Sequence, residues 1–420
     1  MILKEFQFLQ CQNLSDKKSY LSPQTFDELE KFVLENEDTA RYLKLSTVKG
    51  YGKVLIAQNY VGVLQTNDGT TIEILPKIAN LTDDENGDKA RKILIKMLKT
   101  LKKSPFEKFN KTSLKSTNLP LLEIFISMFL EELTRLVRKG IKSDYITKQD
   151  NLKFLKGKLL FGQQIKQNYI HKERFYVEYQ NFLSDRVENR LIKTTLNYLY
   201  KKSQSNTNQQ RIREFLFVFD EVSLSKEINK DFKQVKLNRQ MKDYEQVLLW
   251  SKTFLLNNSF SPYKGKDIAY ALLFDMNLLF ESYVGEYFKK LGLDVMLQDC
   301  THHLAYLDGR GKFLLKPDFV INKDNEKEII ADTKWKLLDD NKVHQGISQS
   351  DMYQLFAYGK KYRQNQLKNL YLIYPKIENN APLRESCYQF NKSSEHMTMD
   401  LKILFFDLQN DLSPIEKFWE

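Results

Sequence analysis

"KPDFVINKDNEKEIIADTKWK", Lys316–Lys336, holds two apolar runs separated by a polar stretch. The first is the end of "FLLKPDFVI" and the second is "KEIIADTKW", and both read as buried strands. Each carries an aspartate, Asp318 and Asp332, and the second adds Lys334. Charges in such places cost free energy unless they are paired or bound to a metal. Pro317 puts Asp318 at a strand start or irregular edge, because proline is not tolerated in a central ladder. Asp332 and Lys334 are two apart, so on a strand they share a face. The polar "NKDNEK" lets the two strands pair as a hairpin, which brings the carboxylates together. Two carboxylates at short range repel unless a cation sits between them. Hard oxygen ligands suit Mg²⁺, with Mn²⁺ as a substitute. Lys334 beside such an ion could orient a water or steady charge growing on a phosphate.

Working outward, "LLFDMNLLFESYVGEYFKKLG" predicts a helix upstream of three strands near "LDVMLQD", "FLLKPDFVI" and "EIIADTKW". A helix over "DMYQLFAYGKKY", a strand "NLYLIYP" and a last strand "LKILFFDL" follow. That order predicts a mixed α/β layout with one central sheet. Glu281 lies on the first helix. Gln354 and Tyr358, four apart, share a face of the second.

The pattern Pro317-Asp318, then Asp332-Thr333-Lys334, resembles the signature of the PD-(D/E)XK nucleases. That superfamily often supplies a third acid from the preceding helix, here Glu281, and a Gln near the catalytic Lys, here Gln354. In order, "FDMNLLFESYV", "KPDFVI", "ADTKWK" and "DMYQLFAYG" resemble the C-terminal half of the McrC family, the nuclease subunit of the McrBC 5-methylcytosine restriction system. "VGVLQTNDGTTIEILPKI", "LKGKLLFGQQIKQN" and "SDRVENRLIKTTL" extend the resemblance over most of the chain. It implies a DNA endonuclease with Asp318, Asp332, Lys334, Glu281 and Gln354 as catalytic residues. Asp318, Asp332 and Glu281 would hold the metal. It also implies a McrB-like AAA+ GTPase partner, a hexameric ring, and modified double-stranded DNA as substrate. The chain has no G-x-x-x-x-G-K-[ST] of its own, so a DNA motor, if there is one, must be another chain.

Elsewhere, "NYVGVLQTNDGTTIEILPKI" alternates about Asn67-Asp68-Gly69, a hairpin signal within a β-rich region reaching about residue 80. "DKARKILIKMLKTLKK" places Ile93, Leu94, Met97, Leu98 and Leu101 on one helix face and Lys92, Lys96, Lys99 and Lys103 on the other. Such a stripe is usually a solvated face; phosphate contact is the other reading. A more apolar helix surrounds Ile124 to Leu136. Residues 143–181 return to short strand-like pieces, including "KLLFGQQI", and helices follow over "LSDRVENRLIKTTLNYLYKKS", "QQRIREFLFVFDEV" and "KDYEQVLLWSKTFLL". The polar stretch 225–242 reads as a linker. The predicted chain is therefore a multidomain α/β protein. It has a β-rich region 1–110 for partner docking, a mixed helical region 111–245 and a PD-(D/E)XK restriction-endonuclease-like domain 246–420 with a central mixed sheet. The resemblance gives residues 1–245 the task of docking onto the ring and tuning its GTP hydrolysis.

Composition fits this outline. The chain has 420 residues and a formal charge of +11, an excess that suits a polyanion. Cys11, Cys300 and Cys387 are too few and scattered for a disulfide framework. No signal pattern opens the chain, and Glu123, Glu131 and Glu132 interrupt "LPLLEIFISMFLEELTRL", its most apolar segment. No membrane and a cytoplasmic location are expected. Cys300, His302 and His303 are close in sequence but lack a fourth zinc ligand. Two other functions stay open: a non-cleaving DNA-binding adaptor that regulates an NTPase, and an autonomous repair-type nuclease.

Overall fold

The two runs of Lys316–Lys336 pair. In the computed structural model, Phe319–Ile321 runs antiparallel to Ile329–Thr333, with Phe319 opposite Ala331 and Ile321 opposite Ile329. The structure describes residues 1–11, 20–34, 37–77, 87–107, 119–256, 270–323, 328–339, 341–362, 368–376, 387–390 and 399–408. Part of the turn between the strands, 324–327, lies outside them.

The pair sits inside a six-stranded mixed sheet. Its order is Val295–Leu297, Phe319–Ile321, Ile329–Thr333, Lys368–Pro375, Met399–Phe406 and Cys387–Gln389. The three strands Ile329–Thr333, Lys368–Pro375 and Met399–Phe406 are parallel, and the remaining neighbours are antiparallel. Parallel strands are covered on both faces, which explains the unbroken apolar runs in this part of the sequence. On one face Val320, Ile330, Leu370, Leu372 and Leu401 pack with Leu355 and Tyr358 of the helix Gln349–Lys361. On the other, the helix Met276–Lys290 sets Phe288 against Phe319, Phe280 against Trp335, and Tyr283 and Tyr287 against Phe406. Gly285 permits that approach: a Cβ there would lie 2.9 Å from the Phe319 ring.

Two sequence expectations are corrected here. "FLLKPDFVI" is not one strand. Arg310–Leu314 folds back on His303–Leu307 as a separate hairpin, and the chain enters the sheet only after Pro317. The helix expected from Leu272 begins at Met276 instead, capped by Asp275, whose carboxylate accepts from the Asn277 N–H. The preceding Tyr270–Asp275 is a strand, antiparallel to Tyr60–Gln65.

That strand also explains why the chain divides differently from the three regions read in the sequence. Residues 1–121 and 259–420 form one compact unit and 122–258 another. Tyr270–Asp275 completes a four-stranded sheet with Ile2–Lys4, Thr71–Leu75 and Tyr60–Gln65. Gly62 has φ +139°, and a Cβ on it would fall 2.0 Å from the Leu272 carbonyl oxygen, so the crossing tolerates no side chain. Farther along, Trp335 Nε1 donates to the buried Glu5 carboxylate, 3.0 Å from each oxygen. Within this unit the Asn67-Asp68-Gly69 hairpin forms as read. Helix Asp88–Leu98 buries Ile93, Leu94, Met97 and Leu98. Its Arg91 pairs with the buried Glu73 at 2.8 Å.

The second unit packs helices around Leu121–Arg138, with Phe125 against Trp250 and Phe129 against Phe254 of the helix Lys242–Leu255. The glutamate that interrupts its most apolar segment is a buried hub. Glu123 accepts from Ser203 Oγ at 2.8 Å and Asn208 Nδ2 at 2.7 Å. A three-stranded sheet, Asp144–Leu152, Phe175–Leu183 and Lys158–Leu159, completes the unit. After Leu159 the stretch read as strand-like becomes the helix Phe161–Asn168. The expected linker at 225–242 contains the helix Ile228–Gln234, preceded by Ser225, which donates to Thr194 and Asp231. The boundary falls after Asn258 instead. Among the described residues, no helix is long and apolar enough to cross a membrane.

Candidate active site

Extending the register one step beyond Phe319 and Ala331 sets Asp318 opposite Asp332. Asp318 Oδ2 accepts from the Thr333 N–H at 2.7 Å and its hydroxyl at 2.6 Å. The carboxylate is therefore aimed across the sheet end rather than into solvent. Asp332 is the penultimate residue of a buried strand and is 1% exposed. Lys334 Nζ stands 2.5 Å from Asp332 Oδ2 and 3.9 Å from Asp351 Oδ1. The first distance is that of an ion pair, yet the buried Oδ2 receives no aligned hydrogen bond. The ammonium instead donates to Gln354 Oε1 at 3.1 Å. Gln354 Nε2 donates to the Tyr358 hydroxyl at 2.6 Å, which donates to the Lys316 carbonyl at 3.0 Å. This chain of bonds ties the position of Lys334 to the backbone next to Asp318.

Glu281 enters from the helix on the other face. Its Oε1 accepts from Gln298 Nε2 at 2.7 Å, and the Gln298 N–H donates to the Asp318 carbonyl at 3.0 Å. Burial, then the charge of Asp318, pushes Glu281 up to about 7. Burial and the same neighbour push Asp332 up to about 7 despite Lys334. Burial also raises Asp318, against the two Thr333 bonds. Burial opposes the charge on Lys334, but the carboxylates led by Asp332 hold it above its ordinary range. Asp318, Asp332 and Glu281 thus crowd one sheet end, with Lys334 among them and Lys316 and Asp351 close enough to act on them.

That set fits a small hard cation in a particular way. Asp332 Oδ2 is a buried oxygen that receives no aligned hydrogen bond besides its ion pair with Lys334, and Asp318 faces it. Mg²⁺ is commonly held by one or two carboxylates, its other positions going to waters and phosphate oxygens. Among the described residues no three His, Cys, Asp or Glu side chains form a ready-made cage. Glu281 is turned to Gln298 beside the pair rather than into it. The structure therefore brings together Asp318, Asp332, Lys334 and Gln354, with Glu281 adjoining. Two neighbours escaped the sequence reading. Asp351 lies one helical turn before Gln354, a spacing that could have flagged it. Gln298 has φ +48°, and nothing in the sequence marks that conformation. His302 packs on the Tyr362 ring at 4.4 Å.

A family model described as "McrBC 5-methylcytosine restriction system component" matches residues 55–375. Among solved structures, a chain of the half-complex from the tetradecameric assembly of Thermococcus gammatolerans McrB AAA+ hexamers with bound McrC has a TM-score of 0.71 at 18% identity. The alignment covers 100% of this chain and 98% of that one. A chain of the cryo-EM structure of the Thermococcus gammatolerans McrBC complex has a TM-score of 0.49 at 21% identity, covering 68% of this chain and 85% of that one. No curated protein matches. At these identities the structural likeness is one of fold.

Proposed function

The chain belongs to the family of McrBC 5-methylcytosine restriction system components, and from that premise we propose that it is the endonuclease subunit of such a system. In this reading it hydrolyses phosphodiester bonds of modified double-stranded DNA when assembled with a McrB-like AAA+ GTPase ring. The observation that carries the proposal is the pairing of Asp318 with Asp332 across two antiparallel strands, with Lys334 Nζ 2.5 Å from a buried Asp332 oxygen. The site lies in a restriction-endonuclease-like sheet of the PD-(D/E)XK kind.

Asp318 and Asp332 would hold Mg²⁺, or Mn²⁺ in its place, and Glu281 would adjoin as the third acid. The ion supplies Lewis-acid stabilisation of the phosphate and lowers the pKa of a water. Thr333 fixes Asp318 by two bonds, so that carboxylate needs little reorganisation. Lys334, steered by Gln354, presents its ammonium where negative charge grows on the phosphate. Tyr358 holds Gln354 in that orientation.

Docking belongs to residues 1–245 in this reading. Within them, Phe161, Ile165, Tyr169 and Ile170 are each exposed by 67% or more. An apolar set this open has the chemistry of a protein interface. The test is plasmid cleavage in Mg²⁺ with the partner ring and GTP, comparing wild type with Asp318→Asn. Wild type should cut modified DNA and stop in EDTA, and the variant should lose activity about 10²-fold or more. Equal cutting by both, or cutting in excess chelator, refutes the proposal.

A further inference from the structure

A cavity of about 1150 Å³ lies away from the carboxylate pair, between the helices Asp88–Leu98 and Met276–Lys290. Three lysines of the stripe noted in the sequence, Lys92, Lys96 and Lys99, line its first wall with Lys89, while Lys103 does not. Across the opening stand Tyr283, Tyr287 and Lys290. Lys102 adds a further ammonium and Glu107 and Glu286 the opposing charge, so cations outnumber anions on the lining six to two. Lys96 Nζ is 5.6 Å from the Tyr283 ring centroid and donates to the Leu408 carbonyl at 3.2 Å. Partial burial, then the Lys102 ammonium beside it, holds Lys289 below its ordinary range. Like charges gathered in this way favour an anion among them.

Geometry narrows which anion. From Lys89 to Lys99 the helix rises roughly 15 Å at 1.5 Å per residue. One strand of B-DNA carries a phosphate about every 3.4 Å along the axis, so roughly four phosphates span the stripe. The row of lysines thus has the length to meet more than one phosphate of a backbone. Tyr283 is buried beneath Lys96, which it helps to position, and the half-buried Tyr287 lines the groove as a side chain of the kind found beside nucleic-acid backbones. An acidic peptide would supply charge without that regular repeat. Lys290 is roughly 180° around its helix from Glu281, at 100° per residue. The cavity is thus on the far side of the helix from the carboxylates.

We infer that this groove is a second DNA site, which grips a phosphodiester backbone apart from the point of cleavage. The inference rests on the nuclease reading for its ligand, DNA. It adds a holding surface to that reading and gives the excess positive charge a location. A nuclease fed by a translocating partner gains from such a grip, because the duplex stays engaged while the scissile bond is positioned.

The test measures binding without cutting. Full-length protein carrying Asp332→Asn is titrated onto labelled duplex DNA by fluorescence anisotropy at several salt concentrations. The comparison adds Lys92→Glu, Lys102→Glu and Lys290→Glu, all exposed positions. Each lost phosphate contact lowers the slope of log K against log salt by about 0.9. The triple variant should therefore lose about 2 to 3 from the slope and bind at least about 10-fold more weakly. If its melting temperature falls, the matching triple Gln variant, which adds no negative charge, should show the same loss of slope. An unchanged slope in either folded triple, or no duplex binding by the parent at low salt, overturns the inference. Poly-glutamate binding that is lost in the triple while DNA binding is retained also overturns it, and assigns the groove to an acidic protein. Cleavage by the assembled complex tests the nuclease reading separately, because neither arm here depends on cutting.

Discussion

Replacing Asp332 by Asn should make the metal-free protein more stable while it abolishes cleavage. Asp332 is 1% exposed, and burial with the facing Asp318 raises its pKa from 3.8 to about 7. A group raised in the folded state contributes stability that is complete below its unfolded pKa and lost as pH climbs through its folded pKa. For Asp332 that window runs from about 4 to about 7. A shift of about three units corresponds to roughly 4 kcal/mol. Sharing of charge with Asp318 and Lys334 reduces this to a few kcal/mol by pH 8, or roughly 3–6 °C in melting temperature for a unit of this size. Asn keeps the shape and removes the charge. Thermal melts from pH 4 to 8 in EDTA should show wild type losing stability with rising pH and Asp332→Asn losing distinctly less. Added Mg²⁺ should stabilise wild type at pH 8 and leave the variant nearly unmoved, because a ligand stabilises only the state it binds. A variant less stable than wild type at pH 8 in EDTA would mean that Lys334 already neutralises the site. An equal Mg²⁺ response in both proteins would remove Asp332 from the metal site.

Lys334→Ala should lower cleavage by about 10²-fold or more, and Gln354→Ala by less, since Gln354 acts by steering the ammonium; single-turnover cutting rates rank the two. Glu5, buried against Trp335, is raised to about 7 chiefly by burial. Its contribution is complete below pH 4.5 and lost through pH 7, on the order of 3 kcal/mol. Glu5→Gln should flatten that part of the pH–stability curve, and a curve that keeps its wild-type slope rules Glu5 out. Gly62→Ala should cost about 2 kcal/mol or more in denaturant melts, because its Cβ would meet the Leu272 carbonyl oxygen at 2.0 Å and its φ is +139°; a loss below about 0.5 kcal/mol would show that the strands part easily.

Local pattern carried the sheet that holds the candidate site. The two apolar runs and the polar stretch between them were enough to put Asp318 opposite Asp332, because a hairpin register fixes both residues once one pair is known. Period-3.6 patterning likewise placed Gln354 and Tyr358 on one helix face. What stayed hidden depends on partners distant in sequence. "YALLFD" reads into the following helix because its apolar residues continue the helical pattern; only the approach of Tyr60–Gln65 makes it a strand. The same pairing brings a strand from the second half of the chain into the N-terminal four-stranded sheet, a link between residues more than 200 apart in sequence that no periodicity announces. Glu123 shows the limit in the other direction. Its charge marked a break in an apolar segment, but its hydrogen bonds to Ser203 and Asn208 are tertiary contacts.

The joining of the two ends of the chain changes what fragments can reveal. A cut at residue 245 separates Tyr270–Asp275 from Tyr60–Gln65 and Trp335 from Glu5. It exposes the edge of a sheet and a buried carboxylate at once. Loss of activity in a 246–420 piece would then report a broken unit rather than the absence of a docking region. Residues 122–258 form a unit of their own, so the proposed coupling to a partner is addressed by surface substitutions in the intact chain rather than by fragments. The carboxylate pair supports the same view. Two acids raised by burial oppose folding in the absence of a cation, and they persist only where surrounding structure outweighs them. In this protein that structure is the six-stranded sheet together with the helices that cover its two faces.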